Sequence, residues 1–176
     1  ECNALAYIAQ ENTENKNRMR MLEAIDAVLA SQKDHNTNLS VLMACCFALA
    51  QFANESVENK DCIAEAGGIK AVSDALNVAL VAFDQRERQR EVAFDADPSD
   101  SSASAYIEEA LVRGCCALCQ LTDNHNLNQV CIEEKVDGDQ LVIGAMRVIR
   151  AMRDYPSNAC MQRWGCRALG NFADGN

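Results

Sequence analysis

An eight-residue phrase occurs four times in this chain: CNALAYIA from Cys2, CFALAQFA from Cys46, CCALCQLT from Cys115 and CRALGNFA from Cys166. The copies start 44, 69 and 51 residues apart, and an asparagine lies thirteen positions beyond three of them, at Asn15, Asn59 and Asn128. Self-similarity at this period implies an array of stacked units rather than one closed core. The phrases cover residues 2–9, 46–53, 115–122 and 166–173, about three and a half repeats of a single domain over residues 1–176. Within each phrase the apolar residues recur at helical spacing. Cys2, Leu5, Cys46, Leu49, Cys115, Leu118, Cys166 and Leu169 are therefore the expected interior.

The residues between the phrases also read as helix. From Asn17 to His35 one continuous helix is expected, with Met19, Met21, Leu22, Ile25, Val28 and Leu29 on its apolar stripe. Asp34 and Asn36 to Asn38 end it and offer capping oxygens to the next helix. In the second repeat Gly67 and Gly68 split a short helix from a longer one, since glycine takes the left-handed conformation without steric cost. In the third, Asp137-Gly138 replaces that pair. Pro156 is expected to open the last helix, and Asp34, Asn38 and Cys45 align with Asp154, Asn158 and Gly165. The long second interval holds an insert at about residues 84–105. QRERQRE, from Gln85, continues a helix, whereas the acidic, Ser-rich DADPSDSSASA, Asp95 to Ala105, reads as an exposed loop. Both ends cut a repeat, so a fragment of a longer solenoid is expected.

Composition narrows the function. The formal net charge of −10 disfavours a nucleic-acid surface, which needs clustered Lys and Arg. An acidic surface suits a basic peptide partner. No run approaches the roughly 18 apolar residues of a membrane-spanning helix, so no membrane insertion is expected. Four of the ten cysteines fall at one repeat position, and neighbours such as Cys45 and Cys46 diverge by about 100° on a helix. Such cysteines read as small buried hydrophobes of a reducing compartment, cytosol or nucleus.

ENKDCIAEAGGIKAVSDAL, followed by a helix ending in CCALCQLT, resembles the armadillo repeat: a short helix, a Gly-Gly turn, a second helix and a long third one. The resemblance covers essentially the whole chain except the insert, and is weakest in the first repeat, where no Gly-Gly is present. It implies an all-α, right-handed α-α superhelix of three-helix repeats whose third helices line a concave groove for an extended peptide. In that family, amides on successive third helices bond the peptide backbone. The matching positions here hold Tyr7, Gln51, Gln120 and Asn171. Four residues earlier, where importin alpha carries Trp, stand Asn3, Phe47, Cys116 and Arg167. The Trp ladder is thus missing, and with it the case for a nuclear-localisation peptide.

Chemistry has little to work with. Cys116 and Cys119 form a CxxC, the pattern of a redox pair or half a zinc site, but it lies inside the repeat phrase. His35 and His125 lie in polar surroundings without metalloprotease spacing, and no nucleophile elbow or phosphate loop is present. The leading expectation is a non-enzymatic, cofactor-free scaffold for a protein or peptide. The alternatives are a structural subunit of a larger assembly and a thiol or metal activity at Cys116 and Cys119.

Overall fold

Every copy of the phrase is helical. A computed structural model describes residues 2–92, 101–125, 128, 134–136, 139–141 and 143–174. The phrases lie in α1 (Cys2–Ala9), α4 (Leu39–Ala53), α7 (Ser101–Thr122) and α9 (Ala159–Asp174). Between them run α2 (Thr13–Met21), α3 (Ala24–Asp34), α5 (Val57–Glu65), α6 (Gly68–Val92) and α8 (Ile143–Asp154). The fold is all-α, apart from a short antiparallel ladder of β1 (Glu134–Val136) on β2 (Asp139–Leu141), which pairs Val136 with Asp139. Helices meet their counterparts in the next repeat: α1 packs on α4, α4 on α7, α7 on α9, α3 on α6, α6 on α8 and α2 on α5. The core runs continuously through the stack. Phe52, Leu49, Ile63, Leu76, Leu111 and Leu118 are fully buried in it, each worth about 1.5–3 kcal/mol of apolar burial.

The repeating asparagine has a structural job. Asn15, Asn59 and Asn128 each donate Nδ2 to a carbonyl seven residues earlier, at Ile8 (2.9 Å), Phe52 (2.9 Å) and Leu121 (2.8 Å). Those acceptors sit in the last turn of a phrase helix, where the closing carbonyls lack intrahelical partners. Three residues before each asparagine stands a cap. Asn12, Ser56 and His125 accept from the backbone N–H of Asn15, Asn59 and Asn128 through Oδ1, Oγ and Nδ1. His125 thus stands in the loop after α7, buried, with its ring capping a backbone N–H. Its Nε2 lies 2.9 Å from Asp61 Oδ1. Lysines add a tie within each repeat: Lys16 and Lys60, both buried, donate to the carbonyls of Asn54 and Asp123. Those carbonyls close the phrase helix of the same repeat, where a cation also meets the negative end of the helix dipole.

Backbone reversals repeat as well. Glu11, Glu55 and Asn124, each nine residues past a phrase cysteine, have φ of 53°, 55° and 51°. Eight residues past the asparagine, Glu23 (φ 55°) holds the position that Gly67 (φ 81°) holds in the second repeat. The first repeat therefore has the break that it lacks glycine for. The single helix expected over Asn17–His35 is two helices, and Met21 and Leu22 at their junction are 80% and 78% exposed rather than on the apolar stripe. Beside Gly67, Gly68 is needed for a close approach: a Cβ there would stand 2.8 Å from the carbonyl oxygen of Ile63.

Two further boundaries differ from expectation. α7 starts at Ser101, so the end of the expected loop is helix, extended backwards by Ile107, Ala110 and Leu111 on the core side. Pro156 stands in the turn before α9, whose cap is Asn158, with Oδ1 accepting from Met161 N at 2.8 Å. Asn38 caps α4 in the same way. Gly138 and residues 93–100 lie outside the described residues.

The expected interior is correct in the middle of the stack and wrong at its far end. Cys46, Leu49, Cys115 and Leu118 are buried, Cys2, Leu5 and Leu169 half-buried, and Cys166 exposed. Cys46 faces Cys115, and Cys115 Sγ lies 3.9 Å from Met161 Sδ, each covered by the following phrase helix. No described helix follows α9 to cover Cys166.

Asn59→Ala is expected to lower unfolding free energy by about 1–3 kcal/mol, because it orphans the Phe52 carbonyl. The half-buried Asn15→Ala should cost less, and urea denaturation of the two variants compares them. By contrast, Glu23→Gly should stabilise by about 0.5–1 kcal/mol, since it relieves a left-handed non-glycine. A loss of stability there would contradict the reversal at Glu23.

Candidate functional site: the face of the phrase helices

One residue past each phrase cysteine, and again four residues later, a side chain leaves the stack on the same side, because i and i+4 are helix-surface neighbours. Tyr7, on α1, is 63% exposed and meets Phe47 of α4 edge-on, with ring centroids 5.5 Å apart. The guanidinium of Arg113 on α7 lies 4.5 Å over the Phe47 ring and pairs with Glu109 at 2.7 Å. On α9 the guanidiniums of Arg163 and Arg167 lie over the Trp164 ring at 4.7 and 5.5 Å. Between these groups sits Cys116, within electrostatic reach of all three arginines. A ribbon of aromatic and cationic side chains thus crosses all four phrase helices. At its edge a cleft of about 390 Å³ is lined by Met43, Ala105, Tyr106 and Glu109.

The amide positions divide. Gln51 and Gln120 are half-buried, and neither side chain has a hydrogen-bond partner among the described residues. Asn171 differs. Its Nδ2 donates to the Cys119 carbonyl at 3.0 Å and to Thr122 Oγ1 at 3.3 Å. It crosses to the last turn of α7, joining the Asp123 N–H that also bonds the Cys119 carbonyl, so its donor is spent on the stack. Of the expected site residues, Tyr7, Phe47, Gln51, Gln120 and Arg167 offer surface to a ligand. Arg113, Arg163 and Trp164 belong with them and are new to the site. Their signal was in the sequence: they stand three or four residues before the Cys116/Arg167 position, one turn back along the same stripe.

Burial works against a reactive thiol at the CxxC. Burial pushes the Cys116 thiol up to about 12, against the pull of Arg163, Arg167 and Arg113. Burial likewise raises Cys119, and Cys115 to about 12. A thiol held protonated is a poor nucleophile and a poor metal ligand. Among the described residues no three His, Cys, Asp or Glu side chains group as a metal site. No single described helix is long and apolar enough to cross a membrane.

The buried thiols have a pH consequence. Unfolded, they lose protons near the ordinary 9.0; folded, Cys45, Cys115 and Cys116 hold them to about 12. Their contribution is complete below 9.0 and is lost as pH rises towards 12. Lys16 and Lys60, lowered by desolvation, act in the opposite direction in alkali, but are fewer. Urea midpoints should therefore fall steadily across that window. Under native conditions a thiol reagent should modify the exposed Cys160 and Cys166 quickly and Cys45, Cys46, Cys115 and Cys119 only on unfolding. Rapid modification of Cys119 would overturn this assignment.

Compared with protein-family models, with curated proteins and with solved structures, the chain finds no match.

Proposed function

We propose that this chain is a non-catalytic interaction scaffold, an armadillo-type right-handed solenoid of three-helix repeats that holds an extended peptide of a protein partner along the face of its phrase helices. The observation that carries this reading is the pair of unpartnered amides, Gln51 and Gln120, at one repeat position of adjacent helices. A half-buried primary amide has two donors and two acceptor lone pairs to satisfy. A peptide backbone presents donors and acceptors alternately, so one amide serves both. Tyr7 and Phe47 supply apolar area beside them. The aromatic side chains bring large contact surface at low entropy cost, as rigid anchors do at interfaces.

A second reading, a structural subunit of an assembly, draws on another surface. Met146 and Ile149 of α8 and Val81 of α6 are exposed at 55%, 36% and 42%. Met146 and Ile149 border a cleft of about 620 Å³ between α6 and α8. A partner covering that cleft would leave the phrase-helix face free, so both uses are compatible in one molecule.

Selection of random linear peptides on the immobilised protein tests the leading reading. Binders should emerge whose affinity falls on the order of tenfold in the Gln51→Ala/Gln120→Ala variant, with its thermal unfolding midpoint unchanged. Peptides that bind this variant as well as the parent would point to the α6–α8 cleft instead.

A further inference from the structure

On a chain of net charge −10, the phrase-helix face is locally basic. Arg113, Arg163 and Arg167 converge on Cys116 from two adjacent helices. Arg113 is matched by Glu109. Among the described residues no carboxylate pairs with Arg163 or Arg167, whose guanidiniums rest over the Trp164 ring. Arg18, Lys70, Arg90, Arg147 and Arg150, by contrast, all meet carboxylates. Arg163 and Arg167 stand one turn apart on one helix, gathered on one aromatic ring. Like charges at this spacing repel, a cost that an anion between them removes. The Trp164 face holds both guanidiniums in place by cation–π attraction, and a guanidinium so held loses little further freedom on accepting a bidentate carboxylate.

Resting on the peptide-groove reading, we infer that the partner is an acidic extended segment. Its Asp or Glu side chains would seat on Arg163 and Arg167 over Trp164, and its backbone would pass the amides of Gln120 and Gln51. This reverses the expectation of a basic peptide, which came from net charge alone. The bulk charge is spread over the whole surface, whereas contacts within a few ångström set recognition; charges beyond about 8–10 Å are largely screened at physiological salt. An aromatic side chain in the segment would find Tyr7 and Phe47.

Trp164 is the only tryptophan, so its fluorescence reports this site without a label. The probes are three synthetic peptides of equal length that alternate Phe with acidic pairs (Asp-Glu), basic pairs (Lys-Arg) or neutral pairs (Ser-Asn), together with a single-stranded oligonucleotide. The acidic peptide should change Trp164 emission saturably and bind more weakly as salt rises. Arg163→Ala/Arg167→Ala, at exposed side chains, should weaken it on the order of tenfold, measured by calorimetry because the aromatic reporter's surroundings change. Arg153→Ala, exposed on α8, should leave binding as it is. The inference is overturned if the basic or neutral peptide binds as well as the acidic one, if the oligonucleotide does, or if Arg153→Ala weakens binding equally. Neutral or basic binding that still requires Gln51 and Gln120 would sink the acidic partner and leave the groove standing. No binding by any peptide, here and in the library selection, would sink both.

Discussion

An amide reaching back to the end of the preceding helix joins each repeat to the one before it. Asn15, Asn59 and Asn128 satisfy a last-turn carbonyl of the phrase helix, and their own backbone N–H groups are capped by Asn12, Ser56 and His125. Helix ends buried without partners are costly. A stack of short helices brings many such ends together, so it depends on a cheap, repeatable way to satisfy them. One asparagine and one cap per repeat do this with two side chains. Lys16 and Lys60 apply the same solution inside a repeat, tying its first helix to the end of its own phrase helix.

With helix ends satisfied, small residues let the phrase helices approach closely. Cys46, Ala50, Cys115, Ala117 and Cys119 line the α4, α7 and α9 contacts at nearly zero exposure. Burial pushes these thiols towards their protonated form, which weakens them as nucleophiles. The same close packing leaves the opposite flank of each phrase helix as the open face. A ligand on this face would meet only side chains that the stack does not consume. Gln51, Gln120, Arg163 and Arg167 meet that condition. Asn171 does not, since α7 has taken its amide.

Much of this was legible in the chain. The phrase, its 3–4 apolar spacing and the Gly67-Gly68 break led to the all-α array and to the buried middle cysteines. The asparagine thirteen residues on was visible as a pattern, and the position of the Asn38 and Asn158 caps as an alignment. The break in the first repeat was not. Glu23 adopts a left-handed φ although glutamate gives no local sign of it, because packing of α2 and α3 imposes what propensity would not choose. Leu22 and Met21 misled for the same reason: on an unbroken helix they lie on the stripe, and at a reversal they point to solvent.

The sequence by itself determined the unit: which residues repeat, which flank of the phrase helices is apolar, and which asparagines cap. Those are local properties, set by side-chain spacing and capping chemistry within about one turn of helix. Only the tertiary structure decided how far each unit is covered and what its polar groups meet. Cys166 carries the same phrase as Cys115 yet is exposed, whereas Cys115 is buried against Met161 of α9. Arg163 and Arg167 gather with Arg113 around Cys116 because α7 and α9 lie side by side. A long-range neighbour is not encoded in any one stretch of chain, and the charge of this face came from such neighbours.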